Sequence, residues 1–338
     1  MKSTLALLAI IFLFGCKKDK PAPLDENATC AGYTTIIPDS LTALITQTSS
    51  STNAVIVRIE NAQDTVLVSQ TGYDFWSPSI SPDKSKFICF RSAGTNALKV
   101  DDYEDAELWM FNIDGSNGHM ITACSLQGLS AMGMAKWAPD GLHLVFAGEK
   151  METDGNLHWN IYLTDTLGTS AVKMNTRLGS FKYPCFANGD MTKITYQAWE
   201  IGVTVAGSVF DTELFYATVN GSYQLATEQQ LTNNNQVEYA PAFSPDNINI
   251  VYAQTTSTEP NTAVTLWTAN HAASTTAELL NNNNVNENPV WCTTNNKIYF
   301  TNLTSSWCLR HVNRIESSGG NQPVYRLHNK QFYQFDIK

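Results

Sequence analysis

Charge is scarce in this chain. Asp, Glu, Lys and Arg make up 15% of the 338 residues, and the acids outnumber the bases to leave a net charge of -10. Nucleic acid is thereby excluded as a partner, because its phosphates need a Lys/Arg-rich face. Membrane-length apolar runs are also missing: the stretch from Leu5 to Phe14 has ten residues, too few to cross a bilayer. No Gly-x-Ser-x-Gly, His-Glu-x-x-His or phosphate-binding Gly loop occurs, so the common hydrolase, zinc-peptidase and nucleotide-binding signatures are absent. The six histidines (119, 143, 158, 271, 311 and 328) are scattered, and there is no Cys-x-x-Cys. What the chain does have is 43% hydrophobic residues, ample for a core, and abundant Asn, Thr and Ser. That neutral polar surface is typical of exported β-rich proteins. The acidic balance suits cationic or neutral partners, or metal ions.

The first residues read as a targeting segment. Lys2 supplies the positive region and Leu5–Phe14 the apolar one. Leu13-Phe14-Gly15-Cys16 resembles a bacterial lipobox, which implies cleavage before Cys16 and acylation of that cysteine, with Phe14 bulkier than the small residue usual there. Several acyl chains on one residue would anchor stably. The expected organisation is a signal peptide over 1–15, a flexible lipid-anchored tether over 16–33 and one domain over 34–338. Residue 17 is Lys, so the Asp of inner-membrane retention is absent, and Lys17-Lys18-Asp19 resembles the export tags of Bacteroidota surface lipoproteins. The expectation is an outer-membrane lipid anchor, facing periplasm or cell surface. Six further cysteines permit disulfides in an oxidising compartment. Cys292 and Cys308 fall two strands apart, about 9.5 Å at the usual strand spacing, too far for direct pairing.

Five times an aromatic or Pro-rich strand start runs through a tight polar turn into a strand ending in an aromatic. Trp76–Asp83, Lys136–Gly141, Tyr183–Gly189, Pro241–Asp246 and Pro289–Asn296 are the starts; Phe90, Phe146, Tyr196, Tyr252 and Phe300 close the strands, 56, 50, 56 and 48 residues apart. Third strands follow at Leu108–Phe111, Ile161–Leu163, Leu214–Tyr216, Leu266–Thr268 and Leu309–Val312, and short fourth strands at Ile121–Thr122, Leu231–Thr232 and Leu279–Leu280. Four antiparallel strands per repeat of this length make a blade. The stretch Leu231–Asp246, with Asp83 and Asp140-Gly141 as further copies and Asn188-Gly189 and Asn295-Asn296 as degraded ones, resembles the WD40-like PD40 repeat of TolB-type proteins. That resemblance covers roughly residues 50–338 and implies an all-β, TolB-like β-propeller, six-bladed in TolB itself. Strand pairs at Ala54–Ile59 and Thr65–Ser69 precede the first full repeat, so a sixth blade is shared between the termini, with Phe332–Ile337 innermost and Leu41–Gln47 second. The Asp of each Pro-Asp turn reads as a cap on its own backbone.

Long connections between second and third strands, 92–106, 147–159, 197–212 and 254–263, gather on one propeller face, and loops on a rigid scaffold are where binding resides. The candidate face comprises Asp101, Asp102, Tyr103, Glu104, Asp105, Glu152, Asp154, His158, Trp199 and Asp211, with Glu149 and Glu200 beside them. Clustered carboxylates suit Ca²⁺ or a cationic ligand, although no Asp-x-Asp-x-Asp-Gly loop is present and no cofactor is otherwise expected. Trp199 is the candidate stacking platform, whereas Trp109 and Trp267 read as packing. The functional expectation is a monomeric, non-catalytic envelope lipoprotein that binds a protein or glycan through this face. The alternative is a polysaccharide lyase or hydrolase using the loop carboxylates.

Overall fold

The computed structural model describes residues 41–48, 53–60, 63–94, 103–199, 212–256, 262–303, 311–325 and 331–338. These residues are all-β apart from one helical turn. Strands β1 (Ala43–Thr48), β2 (Val55–Glu60) and β3 (Gln63–Val68) are consecutive antiparallel neighbours. A second sheet follows as β4 (Tyr73–Ile80), β5 (Lys86–Ala93), β6 (Glu107–Asn112) and β7 (His119–Ala123), and then the turn α1 (Cys124–Gln127). The third comprises β8 (Ala131–Trp137), β9 (His143–Met151), β10 (Leu157–Asp165) and β11 (Ala171–Lys173).

The next strands repeat that antiparallel order. They are β12 (Lys182–Ala187), β13 (Asp190–Trp199), β14 (Thr212–Val219) and β15 (Leu225–Gln230), then β16 (Val237–Phe243), β17 (Asn249–Thr255), β18 (Val264–Asn270) and β19 (Thr275–Leu280), then β20 (Val285–Cys292), β21 (Lys297–Leu303), β22 (His311–Glu316) and β23 (Gly319–Tyr325). Single parallel bridges, Thr212 to Val237 and Val264 to Val285, link these groups side by side. Finally β24 (Gln331–Ile337) returns to β1, with Ala43 opposite Ile337 and Leu44 opposite Asp336, so the first sheet runs β24-β1-β2-β3.

The aromatics that mark the repeat are core residues. Phe90, Phe146, Tyr196, Tyr252 and Phe300 are all fully buried. They sit between consecutive sheets: Trp76, Phe90 and Leu108 of the second sheet meet Met132, Leu144 and Phe146 of the third in one apolar cluster, with Trp76 stacked on Phe90 at 4.6 Å. Burying such rings is the dominant favourable contribution to folding.

The first strand of each repeat is kinked at an equivalent place, with a second shift in β12 between Phe186 and Ala187. The ladder skips between Trp76 and Ser79, Gly133 and Lys136, Lys182 and Cys185, Tyr239 and Ala242, and Glu287 and Val290. In each gap a non-glycine residue takes positive φ: Ser77 (54°), Met134 (60°), Tyr183 (51°), Ala240 (51°) and Asn288 (52°). A proline follows directly at Pro78, Pro184, Pro241 and Pro289. Proline cannot donate to a ladder and is confined to edges and bulges, which accounts for its place inside a strand here.

The Pro-Asp turns behave as capped turns. Asp83 accepts hydrogen bonds from the Ser85 amide and the Ser81 hydroxyl, Asp140 from the Leu142 and His143 amides, and Asp246 from the Ile248 amide and Ser244 hydroxyl. Several boundaries differ from the sequence reading, and each second strand runs past its aromatic, to Ala93, Met151, Trp199, Thr255 and Leu303. The fourth strand near 231 is β15, Leu225–Gln230, and Leu231 lies beyond it as a buried plug whose amide reaches Leu214 O. The long loop expected over 147–159 is a hairpin: β9 and β10 stay paired out to Met151 and Leu157, leaving a turn at 152–156 closed by Gly155 N–H to Glu152 O.

Candidate functional site

Of the expected binding face, Asp101, Asp102 and Asp211 lie outside the described residues, as do Cys16, Glu200 and the rest of 200–211. The others fall into two groups. Glu152, Asp154 and His158 come together at the tip of the β9–β10 hairpin, with Trp199 beside them. His158 is not the surface residue expected: it is 1% exposed, with Nδ1 at 3.1 Å from Gly179 O and Nε2 at 2.8 Å from Asp154 Oδ2. Its ring edge meets Trp199 at 6.0 Å, so that tryptophan is a half-buried packing partner and no free platform. Hydrogen bonds from His158 and Asn156 hold the Asp154 carboxyl down at about 2. Glu152 accepts from Lys173 Nζ at 2.5 Å and from Asn160 Nδ2 at 3.1 Å. Both acids serve to fix the hairpin.

Tyr103, Glu104 and Asp105 form the second group. Glu104 and Asp105 are exposed, while the Tyr103 ring packs edge-on against Trp76 at 5.2 Å and Trp159 at 5.8 Å. Lys182 Nζ lies 4.8 Å from the other ring system of this stack, Trp159. Burial raises the Glu149 carboxyl; Lys182 opposes the rise, Glu104 adds to it and a hydrogen bond from Trp159 opposes it again.

A central cavity of about 580 Å³ lies elsewhere, and among the described residues of the expected face Tyr103 alone lines it. Its wall is built from β4, β8, β12, β16, β20 and β24, the first strands of the repeats and the returning terminal strand. The bulge residues Ser77, Met134, Tyr183, Ala240 and Asn288 all contribute to it. One end of the lining is made by the short turns, at Pro82, Lys84, Pro139, Asn188 and Pro245. These are the turns whose acids read from the sequence as caps on their own backbone.

Its chemistry also differs from the net charge of the chain. Lys84, Lys136 and Lys338 line it, each half-buried, against Glu287 and Asp336. Asp336 is 4% exposed and occupied by its own fold, accepting from Ile80 N–H at 2.7 Å and Ile337 N–H at 3.0 Å. Burial lowers the Lys338 ammonium and Asp336 opposes that, with Lys136 lowering it further. Trp76, Trp137 and Trp291 contribute edges to the wall but are themselves buried between sheets. Among the described residues no group of three or more His, Cys, Asp or Glu side chains is placed to hold a metal ion. Among the described residues Cys89, Cys124, Cys185 and Cys292 form no disulfide with one another, and Cys185 lines the cavity. Cys30 and Cys308 fall outside the described residues. Sequence reasoning passed over this cavity; the signal available was the proline that recurs two to five residues after the start of β4, β12, β16 and β20.

No protein-family model matches the sequence, and no curated protein matches it either. Solved structures do. A putative TolB from Agrobacterium tumefaciens aligns over 88% of this chain and 98% of its own at 14% identity, with a TM-score of 0.59. TolB from Acinetobacter baumannii aligns over 88% and 68% at 13% identity, TM-score 0.61. An oligogalacturonate lyase solved in complex with manganese aligns over 86% and 80% at 8% identity, TM-score 0.51. At such identities the likeness speaks for the fold and leaves activity open, since one propeller carries binding proteins and enzymes alike. The chain has the TolB-like β-propeller fold.

Proposed function

We propose that this is a non-catalytic cell-envelope lipoprotein of the Bacteroidota type, acylated at Cys16, held at the outer membrane and facing periplasm or surface. Its propeller has six PD40-type blades of four strands, the first closed by β24, and acts as a monomer. The single observation that carries the binding reading is the cavity: about 580 Å³, within the range of ligand sites, with aromatic and proline walls and a few convergent polar groups. We place the partner there and not on the long-loop face, because Asp154 and His158 of that face are committed to each other and Glu152 to Lys173. A protein segment is favoured over a glycan. Sugar rings stack on open aromatic faces, and Trp76, Trp137 and Trp291 keep theirs between sheets. The lysines at 84, 136 and 338 favour a segment that carries carboxylates.

The enzyme reading has one observation in its favour, the raised Glu149 carboxyl beside Glu104, which is the kind of pairing a general acid needs. Against it, Glu149 does not line the cavity. The test compares envelope pull-downs with the wild-type protein, with Ala242→Trp to fill the cavity, and with residues 95–102 deleted. Loss of the partner in A242W alone supports the cavity. Loss only in the deletion moves the site to the long-loop face. Release of unsaturated or reducing ends from acidic polysaccharides, abolished by Glu149→Gln, would replace the binding reading with the enzymatic one.

A further inference from the structure

One buried position breaks the pattern of the repeat. Two residues before the left-handed residue of each bulge stand Phe75, Met132, Phe181, Glu238 and Asn286, all buried. Three repeats put an apolar side chain there; the fourth puts a carboxylate that is 0% exposed. Burying a charge is costly unless something charged or hydrogen-bonding meets it.

The neighbouring junction shows how an amide satisfies the same position. Asn286 Nδ2 donates to Val264 O and to Asn282 Oδ1, both at 2.8 Å, and Asn286 Oδ1 accepts from Asn302 Nδ2 at 2.5 Å. Donors and acceptors match. At Glu238 the corresponding amides, Asn234 Nδ2 at 2.9 Å and Gln254 Nε2 at 2.8 Å, both converge on Glu238 Oε1. A carboxylate has no N–H to return. The other halves of those two amides, Asn234 Oδ1 and Gln254 Oε1, are buried with no donor, and Gln254 is only 5% exposed. Gln197, 6% exposed, spends its Nε2 on Thr212 Oγ1 at 2.5 Å and also leaves Oε1 without a donor. A second buried carboxylate joins the cluster, because Glu213 Oε1 accepts the Asn234 backbone N–H at 2.8 Å.

We propose that this recess, where β13, β14, β16 and β17 meet, is a binding site for a hard cation, Ca²⁺ by preference. Carboxylate oxygens of Glu213 and Glu238 and carboxamide oxygens of Asn234 and Gln254 are its ligands, with Gln197 at its edge. Hard cations take oxygen ligands, and Ca²⁺ accepts larger, less regular sets than Mg²⁺, which insists on octahedral geometry and keeps its waters. Thr212 and Val237 form the parallel bridge between two strand groups at this spot, so a bound ion would rivet that junction. It is a different place from Glu104 and Asp105.

The experiment uses the full-length chain in detergent, stripped with EDTA, and follows thermal unfolding and sensitised Tb³⁺ luminescence. One millimolar Ca²⁺ is expected to raise the midpoint by about 4 °C if it stands near a hundred times its Kd, with Mg²⁺ giving under half that. Glu238→Gln restores a donor as Asn286 does, so it is expected to fold, to lose the Ca²⁺ shift and to weaken Tb³⁺ binding at least tenfold. Gln254→Met, a volume-conserving change, is the second variant and is expected to weaken Tb³⁺ binding similarly. Identical wild-type midpoints in EDTA and Ca²⁺ would overturn the proposal. So would a Ca²⁺ shift that survives in both variants, since the ion would then bind elsewhere.

Discussion

Truncating Asp336 tests whether the chain ends are latched as the geometry indicates. The carboxylate sits on β24 at 4% exposure, accepts Ile80 N–H on β4 at 2.7 Å and Ile337 N–H at 3.0 Å, and has a longer contact of 3.4 Å from the Ser79 hydroxyl. A hydrogen bond to a charged acceptor is worth about 1.5–3 kcal/mol, and the amide left behind keeps its desolvation cost. Asp336→Ala removes one strong bond across the junction and weaker ones around it, so the expected loss is about 2–4 kcal/mol. With about 2.1 cal/mol/K per residue of unfolding entropy, roughly 300 ordered residues convert that into a fall of about 3–6 °C. Asp336→Asn keeps an oxygen for Ile80 N–H and should recover about half. Differential scanning calorimetry gives the midpoints, and hydrogen exchange at the Ile80 amide reports the local bond. A midpoint within 1 °C of wild type, or unchanged protection at Ile80, would refute the latch.

Two further outcomes are expected. The Asp83, Asp154 and Asp190 carboxyls are each held at about 2 by hydrogen bonds from neighbouring side chains and amides. Because these folded values lie below the unfolded one, their stabilisation is complete above about pH 4 and is lost as pH falls toward 2. An acid titration followed by circular dichroism should show that loss, only weakly changed by 0.5 M NaCl, since its main causes are hydrogen bonds and not distant charges. Trp76→Ala should cost about 3–5 kcal/mol, because the indole is fully buried, stacked on Phe90, and donates to Ser92 Oγ at 3.1 Å; a midpoint shift under 2 °C in urea-free melts would contradict the core assignment.

The repeat was readable from the chain because its signals are local. Turn acids at fixed offsets cap their own backbones, and the aromatics recur within each second strand because they fill the space between sheets. The return of Phe332–Ile337 to the strand at Leu41–Gln47 was also readable, from one strand pair too many at the start. The site was not. Acidity at 149–158 looked like a ligand surface, whereas Glu152 and Asp154 spend their charges on Lys173 and His158, partners that only the hairpin fold brings near. The cavity wall comes from six strands spread over some 260 residues, and no local pattern announces that they converge. Glu238 was hidden for the opposite reason. It lies in the middle of the best-matching repeat, at a position whose burial shows only when five bulges are aligned by their left-handed residues.

The pairing of β24 with β1 also sets a clock. A chain made from its N-terminus releases β1, β2 and β3 early, yet the inner neighbour of β1 is near the other end of the sequence. At 5–20 residues per second, roughly 15–60 s separate the two strands during synthesis. For that interval the inner edge of β1 has no permanent mate, and its Ala43–Thr48 run, wholly buried once finished, stands open. A protein wired in this way gains from being held unfolded until the last residue is available, and from completing its ring in one late event.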